Sequence, residues 1–154
     1  MKTKRLNNDV EFADSDIRAF GQSEIMGVAE RALHNPSGKF RICLHRDTDD
    51  TMHEMLVGLR RDLRYPSHRH PSGEESYMVL HGAARLRLFD SVGAVQSVVE
   101  LSEPLAGASV FARIPSGVYH ALEILSEVCV FLETKPGPFS PDNNEIAPFA
   151  KDDI

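Results

Sequence analysis

Two histidines separated by a single residue, His68 and His70, are the clearest chemical feature of the sequence. In a β-strand, residues i and i+2 project from the same face, so both imidazoles point in the same direction. Pro71-Ser72-Gly73 then turns the chain, and two carboxylates follow at Glu74 and Glu75. If the next strand runs back beside the first, one carboxylate comes within about 4.5–5.5 Å of the imidazoles, measured between Cβ atoms. One ion can then be shared by three side chains, although strand alternation does not choose between the two carboxylates.

A further histidine follows a tight turn later in the chain. Ile114-Pro115-Ser116-Gly117 has proline at its second position and glycine at its fourth, which suits a β-turn. His120 comes three residues after the glycine, at the start of a new predicted strand. A lone histidine is more often an ordinary residue. Together with the earlier pair and a carboxylate, however, His120 predicts one metal ion held by three imidazoles and one carboxylate.

The elements that must position these residues are mainly short strands. A helix is predicted at about residues 23–34, where apolar residues recur at helical spacing, and Asn35-Pro36-Ser37-Gly38 ends it. Short apolar runs separated by turn residues follow, which is typical of an all-β sandwich or barrel. The predicted strands are residues 40–44, 55–59, 63–70, 76–80, 84–89, 95–101, 110–114, 120–125 and 128–133.

The two ends of the chain differ from its middle. Residues 1–15 are polar and are predicted to be loosely held. The end of the chain is rich in proline and carries Phe139 and Phe149, which we expect to pack this extended tail on the barrel. We therefore predict one domain with three parts: an N-terminal extension with a helix (1–37), a barrel (38–135) and a proline-rich C-terminal tail (136–154).

Composition narrows the function further. The net charge is −6 and there is no basic stripe, which argues against nucleic-acid binding. No apolar run approaches 18 residues, so neither membrane insertion nor secretion is expected. Cys43 and Cys129 are predicted to be reduced core thiols in a cytoplasmic protein. Open sheet edges are readily covered by a second copy, so a homodimer is expected.

The histidine motifs resemble the two signatures of the cupin superfamily. His68-x-His70-x4-Glu75-x6-Gly82 matches the first signature, and Pro115-x-Gly117-x2-His120 matches the core of the second. The six-residue gap to Gly82 selects Glu75 over Glu74. The resemblance implies a double-stranded β-helix, a jelly-roll barrel that binds one divalent transition metal ion. Iron, manganese, nickel, cobalt, copper and zinc all remain open, because mixed nitrogen and oxygen sites accept each of them.

A closer resemblance extends over about residues 25–150. The segments HRHPSGEES (68–76), ARIPSGVYHALE (112–123) and FLETKPGPFSPDNNEIAPFA (131–150) are similar to WbuC-like cupins. Genes for these proteins often lie among bacterial surface-polysaccharide genes. The resemblance therefore implies a carbohydrate-like small-molecule ligand, but it does not define a reaction.

Two further residues are candidates for the pocket wall. Tyr77 lies on the same face of its predicted strand as Glu75 and could therefore reach the pocket; the simpler interpretation is an aromatic residue that lines the barrel. Arg87 lies on the opposite face of its predicted strand from Leu86 and Leu88, and the simpler interpretation is that it is an outward-facing charge. The remaining histidines have no metal spacing of their own and are not expected to line the site; they are His34, His45, His53 and His81.

Three functions are compatible with such a site. The first is a metal-dependent isomerase or epimerase acting on a sugar or nucleotide-sugar-like molecule, since two open positions on the ion can chelate a hydroxyl and a carbonyl. The second is an Fe(II)-dependent dioxygenase, which uses the same positions for substrate and oxygen. The third is a non-catalytic cupin that binds or senses a small ligand. The sequence alone does not decide between an enzyme and a binding protein.

Overall fold

Two β-sheets face each other in the computed structural model, which describes residues 1–104 and 107–150. One helix and twelve strands are assigned within these residues, and a short 3-10 turn spans Pro141–Asn143. The elements are β1 (Thr3–Arg5), β2 (Val10–Ala13), α1 (Gln22–His34), β3 (Lys39–Cys43), β4 (Met52–Arg60), β5 (His68–Arg69), β6 (Glu75–His81), β7 (Ala83–Phe89), β8 (Val95–Ser102), β9 (Phe111–Ile114), β10 (Tyr119–Ile124), β11 (Val128–Pro136) and β12 (Glu145–Ile146).

The larger sheet has seven strands in the order β1-β2-β3-β4-β11-β6-β9. All its neighbouring pairs are antiparallel except β2 and β3, which run parallel. Successive residues of β4 face opposite sides of the sheet, as a strand requires. Met55 and Val57 join the core between the sheets, whereas Leu56 joins a second core under the helix. The second sheet has the order β12-β5-β10-β7-β8, so the predicted two-sheet barrel is confirmed.

The helix α1 covers the outer face of the larger sheet. Its buried residues, Ile25, Val28, Ala29 and Ala32, recur at the i, i+3, i+4 and i+7 spacing that places them along one stripe. Gly58 of β4 lies directly beneath this stripe. A Cβ atom at Gly58 would lie 2.8 Å from Val28 Cγ1 and 3.0 Å from the Val28 carbonyl oxygen. The absence of a side chain therefore lets the helix approach the sheet.

A glycine-to-alanine pair tests this close approach. We expect Gly58→Ala to lower the free energy of unfolding by about 1–3 kcal/mol, because the added methyl group overpacks the helix–sheet contact. Gly27→Ala is the control: no atom lies within 4 Å of a Cβ at that helical position. It should raise stability by roughly 0.5–1 kcal/mol through helix propensity. Urea denaturation of both variants measures the difference, and an equal effect of the two would contradict the packing.

The first residues of the chain belong to the larger sheet. The prediction that residues 1–15 are loosely held is wrong, because β1 pairs with β2, and β2 pairs with β3. Glu11 of β2 is buried, accepts a hydrogen bond from Thr3 Oγ1 at 2.7 Å, and contacts Arg31 of α1 at 2.6 Å. These polar contacts between strand and helix hold a segment whose apolar content is low.

The C-terminal tail packs on the smaller sheet through one of its two phenylalanines. Phe149 contacts Phe89 and Tyr119, with ring centroids 5.5 and 5.4 Å away, and β12 pairs with β5. Phe139 does not anchor the tail as predicted, because 61% of it is exposed. The last part of the predicted tail, residues 151–154, lies outside the described residues.

Both cysteines lie unpaired in the core between the sheets, as the sequence predicted. Burial raises the pKa of the Cys43 thiol to about 11 and that of Cys129 to about 12. The two thiols are therefore unreactive packing groups at neutral pH. In the described part of the chain, no helix has the length and apolar character needed to cross a bilayer.

Candidate metal centre

The smaller sheet supplies two of the three predicted histidine ligands. His68 of β5 and His120 of β10 are directly opposite each other in an antiparallel pair. His70 lies one residue beyond β5, and its carbonyl oxygen accepts a hydrogen bond from Gly117 N at 2.8 Å. Gly117 has φ +77°, a left-handed conformation that glycine adopts without strain. The turn predicted before His120 therefore also holds the chain around His70.

The carboxylate comes from the other sheet. Glu75 is the first residue of β6, and its side chain is 2% exposed. The predicted hairpin between the His68 strand and the Glu75 strand is not formed, because β5 pairs with β10 and β12, whereas β6 pairs with β11 and β9. Glu74 points outwards and forms an ion pair with Arg113. Four ligands from two sheets would let one ion tie the barrel together.

The four predicted ligands converge. One donor atom from each of His68, His70, Glu75 and His120 can be chosen so that all four lie within 4.8 Å of one another. His120 Nε2 lies 2.6 Å from Glu75 Oε1, and His70 Nε2 lies 3.2 Å from Glu75 Oε2. Such a set of three imidazoles and one carboxylate suits a divalent metal ion.

Backbone carbonyl groups fix which ring nitrogen of each histidine is free. The Nδ1 atoms of His68, His70 and His120 lie 3.1, 2.6 and 3.0 Å from the carbonyl oxygens of Pro66, Asn143 and Val118, respectively. A carbonyl oxygen only accepts, so each Nδ1 carries the hydrogen and donates it. In a neutral ring the Nε2 lone pair is then left to face the centre, the arrangement by which proteins orient histidine ligands.

The centre contains a buried lone pair that no donor in the described part of the chain satisfies. His120 Nε2 is buried and has no hydrogen-bond partner within residues 1–104 and 107–150, although a Glu75 oxygen lies only 2.6 Å away. A neutral imidazole nitrogen and a carboxylate oxygen are both acceptors, so this contact requires either a proton or a cation between them. A dication satisfies all the convergent lone pairs at once, and the residues therefore fit the metal that their types predicted.

The same groups shift one another's pKa values. Burial alone would raise the pKa of Glu75, but contacts with His120 and His70 outweigh it and hold that pKa far below its ordinary value. The carboxylate of Glu75 raises the pKa of His70. Burial, together with the neighbouring His120, lowers the pKa of His68.

Metal-dependent stabilisation should increase with pH. The raised pKa of His70 stabilises the metal-free fold below the ordinary value of 6.5, and this contribution is lost as pH rises through the folded-state pKa. Metal binding requires neutral imidazoles and therefore strengthens over the same interval. We expect the difference in Tm between metal-loaded and metal-free protein to grow from pH 6 to pH 8. Differential scanning calorimetry measures it, and a difference that shrank with pH would contradict protons competing at the centre.

A cavity of about 480 Å³ opens next to the centre. His68, His70 and Glu75 line it, while His120 lies buried behind them. Tyr77 also lines it, and its hydroxyl donates a hydrogen bond of 2.8 Å to Glu75 Oε1. Burial, followed by the negative charge of Glu75, raises the pKa of Tyr77 well above its ordinary value, so the phenol remains a donor.

Arg87, the other pocket candidate, lies elsewhere. It pairs with Ala121 across β7 and β10, and its guanidinium contacts the Glu123 carboxylate at 2.8 Å on the outer surface. The neighbouring Leu86 takes the inward position in the core. Strand alternation therefore turns Arg87 away from the cavity. It is the outward-facing charge of the simpler interpretation and does not belong to the pocket wall.

Four lining residues with charged or imidazole side chains were not identified from the sequence. Arg41, Glu133 and Lys135 project into the cavity from β3 and β11, and His53 projects from β4, although no lining role was expected for it. Burial would lower the pKa of Lys135, but the Glu133 carboxylate at 2.8 Å raises it, so the ammonium stays charged. Glu133 and Lys135 share the face of Phe131, and this alternation was the available sign that they point inwards.

Comparison with known families gives one match. The family model described as "Domain of unknown function (DUF6016)" matches residues 20–101, just over half of the chain. A search of curated proteins finds no match to the sequence.

Solved structures are similar to this chain in fold. Protein SO0799 from Shewanella oneidensis superposes with a TM-score of 0.57 at 16% identity, over 71% of this chain and 74% of that one. KdgF from Halomonas sp. gives 0.52 at 16% identity, over 71% and 87%. Oxalate decarboxylase from Bacillus subtilis gives 0.52 at 21% identity, over 64% of this chain. The match spans only 24% of the length of that decarboxylase. All three are cupins, and the predicted cupin fold is therefore confirmed.

Proposed function

The chain belongs to the DUF6016 family, whose description assigns no function, and we propose that it is a metal-dependent cupin enzyme acting on a sugar or nucleotide-sugar-like molecule. The reaction is an isomerisation or epimerisation by proton transfer next to a carbonyl group. His68, His70, Glu75 and His120 hold the ion. The observation that carries the proposal is the set of Nε2 lone pairs that face a buried carboxylate beside a cavity.

The protein side chains position both the ion and the substrate. A bound divalent ion supplies Lewis-acid chemistry by polarising a chelated carbonyl group, which acidifies the neighbouring C–H bond. Tyr77 holds the Glu75 carboxylate in place through its 2.8 Å hydrogen bond. Glu133 is the lining carboxylate that is not a ligand, and it accepts the proton from that carbon. Lys135, 2.8 Å from Glu133, orients this base. Delivery of the proton to the former carbonyl carbon, with transfer of the hydroxyl proton to the former carbonyl oxygen, completes the isomer, whereas an epimer forms when water reprotonates the original carbon on its opposite face.

The size and lining of the cavity support a small polar substrate. About 480 Å³ falls within the range of 300–1,000 Å³ typical of small-molecule sites. Apolar residues such as Val57 and Leu122 line the cavity together with the polar groups, which suits the mixed faces of a sugar ring. The tail sequence at 131–150 supports a WbuC-like role in surface-polysaccharide metabolism.

Hydrogen–deuterium exchange tests the reaction. Metal-loaded protein is incubated in D₂O with a panel of sugar phosphates and nucleotide sugars, and NMR detects exchange of the proton next to the carbonyl. We expect exchange with at least one sugar, and a loss of at least a hundredfold in Glu133→Gln with its metal retained. Arg87→Gln, on the outer surface, is the control and should exchange normally. Oxygen uptake by the iron-loaded protein without exchange would instead indicate a dioxygenase, and binding without either would indicate a sensor.

A homodimer in the cytoplasm is part of the same proposal. The edge strand β9 carries Phe111, which is 47% exposed and opposite Met78 of β6, itself 40% exposed. A second copy covering this edge would remove both side chains from water. Light scattering at micromolar concentration should give twice the mass of the 154-residue chain. A monomeric mass would exclude the dimer without affecting the metal centre.

A further inference from the structure

We propose that the substrate carries an anionic group, a carboxylate or a phosphate, which binds to Arg41 while another part of the molecule reaches the metal centre. Lys135 is the second cation of this anion subsite. The inference rests on the proposed function, because it specifies the substrate class of the same cavity.

Arg41 faces the cavity because of its place in β3. Its neighbours Phe40 and Ile42 are buried in the core beneath α1. Successive side chains of a strand point to opposite faces, so Arg41 projects to the inner side, where it lines the cavity. Across the sheet it is opposite Val57 of β4, which lines the same cavity.

Among the described residues, the Arg41 guanidinium has no anionic partner. No carboxylate among the described residues lies within the 4.0 Å of an ion pair, and the one acceptor near it is the Met55 sulfur at 3.9 Å. A guanidinium has five N–H donors, and a thioether is a weak acceptor. A partly buried cation with unused donors is costly unless a partner or solvent satisfies it. The structure thus leaves the Arg41 donors available to a ligand.

Lys135 lies on the same wall, between Arg41 and the metal ligands. On one side, Lys135 of β11 is paired with His53 of β4. On the other side, the adjacent Thr134 is paired with Ser76 of β6, the residue that follows the metal ligand Glu75. The Lys135 side chain is 26% exposed, and its ammonium contacts Glu133 at 2.8 Å. Glu133 contacts one side of this ammonium. The positive charge of Lys135 still adds to the electrostatic attraction that an anion experiences at Arg41.

The charge balance of the cavity favours an anion. The formal charges that line it are Arg41 and Lys135, which are positive, and Glu75 and Glu133, which are negative. With a dication at the metal centre, the cavity carries two more positive than negative charges. A neutral ligand would leave this excess uncompensated in a partly desolvated space, whereas an anionic group would offset it. Arginine also binds carboxylates and phosphates through two parallel hydrogen bonds, which would fix the orientation of the substrate.

Matched sugars test the anion subsite. Isothermal titration of the manganese-loaded protein compares D-glucuronate, D-glucose 6-phosphate and D-glucose, which differ in the group at C6. We expect one or both anions to bind at least tenfold more tightly than D-glucose, and the comparison between them separates carboxylate from phosphate recognition. Arg41→Met should lower that affinity at least tenfold. Arg41→Lys should restore part of it, because the charge returns without the bidentate geometry.

The controls separate this inference from the proposed function. Arg87→Met removes an arginine on the outer surface and should bind the anions like the unmodified protein. Metal content is measured in every sample: a protein that holds no metal contradicts the proposed function, yet Arg41-dependent anion binding would still support the subsite. Retained metal with anions bound no better than D-glucose would overturn the subsite alone. An Arg41→Gln variant, which lacks the positive charge, with normal circular dichroism and unchanged anion affinity would also overturn it, whether or not Arg41→Met folds.

Discussion

Replacing His120 with alanine is expected to weaken metal binding at least a hundredfold. Metal sites of four protein ligands are worth roughly 10–16 kcal/mol, or about 3 kcal/mol for each ligand, and about 1.4 kcal/mol corresponds to a factor of ten. His68→Ala and His70→Ala should act similarly, since each removes one of the convergent Nε2 atoms. Metal content after dialysis against a weak chelator, measured by mass spectrometry, checks all three variants.

Glu75→Gln gives a sharper result because it should separate metal binding from folding. The amide keeps the shape of the carboxylate but lacks the negative charge that offsets the dication, so metal retention should fall. Its NH₂ group, however, can donate to the His120 Nε2 lone pair, which faces a Glu75 oxygen at 2.6 Å. The metal-free variant should therefore be at least as stable as the metal-free unmodified protein at pH 8.

Glu74→Gln is the matched control for this substitution. Glu74 pairs with Arg113 at the surface, where one exposed ion pair contributes about 0–1 kcal/mol, so metal content and Tm should hardly change. Loss of metal in Glu74→Gln with retention in Glu75→Gln would mean that the signature is misaligned by one residue. Full metal retention in all five variants would place the ion elsewhere.

Removal of the tail should damage both stability and the metal centre. A chain ending at Pro136 loses the Phe149 contacts with Tyr119, the β12 pairing, and the Asn143 carbonyl that holds His70 Nδ1 at 2.6 Å. Burial of one phenylalanine is worth roughly 1.5–3 kcal/mol, and loss of a partner that orients a ligand typically costs 10–100-fold in metal affinity. Urea denaturation and metal competition measure the two effects.

A pair of phenylalanine variants shows which part of the tail matters. Phe149→Ala should cost about 2 kcal/mol because its ring packs on Phe89 and Tyr119. Phe139→Ala should change stability by less than about 0.5 kcal/mol, since 61% of the residue is already exposed. The reverse order of effects would contradict the observed packing, and unchanged metal affinity after truncation would show that the Asn143 carbonyl is dispensable.

The sequence predicted the composition of the site better than its architecture. The helix expected at about residues 23–34 is Gln22–His34, and all four predicted ligands converge. Ligand types and spacing are local properties that a motif preserves. Strand partners are not: alternation shows which residues of β5 and β6 share a face, but it does not show that these strands join different sheets.

The remaining differences have equally specific causes. The strand β1 was missed because Thr3-Lys4-Arg5 has no apolar alternation and is held at the sheet edge by β2. The run 63–70 was predicted as one strand, yet only His68–Arg69 is paired, since this segment must cross between sheets. Arg41, His53 and Lys135 line the cavity because they lie at positions of their strands that point inwards. The sequence does not identify these positions until it is known which face of each strand is turned to the cavity.

Anomalous X-ray diffraction tests the central claim most directly. The protein is purified without an affinity tag, crystallised, and measured above and below the absorption edges of the metals that elemental analysis detects. We expect a single peak about 2.0–2.2 Å from the Nε2 atoms of His68, His70 and His120 and from a Glu75 oxygen. A stoichiometric metal whose peak lies away from these four side chains, or metal-saturated crystals without a peak at this position, would contradict the assignment of the metal centre.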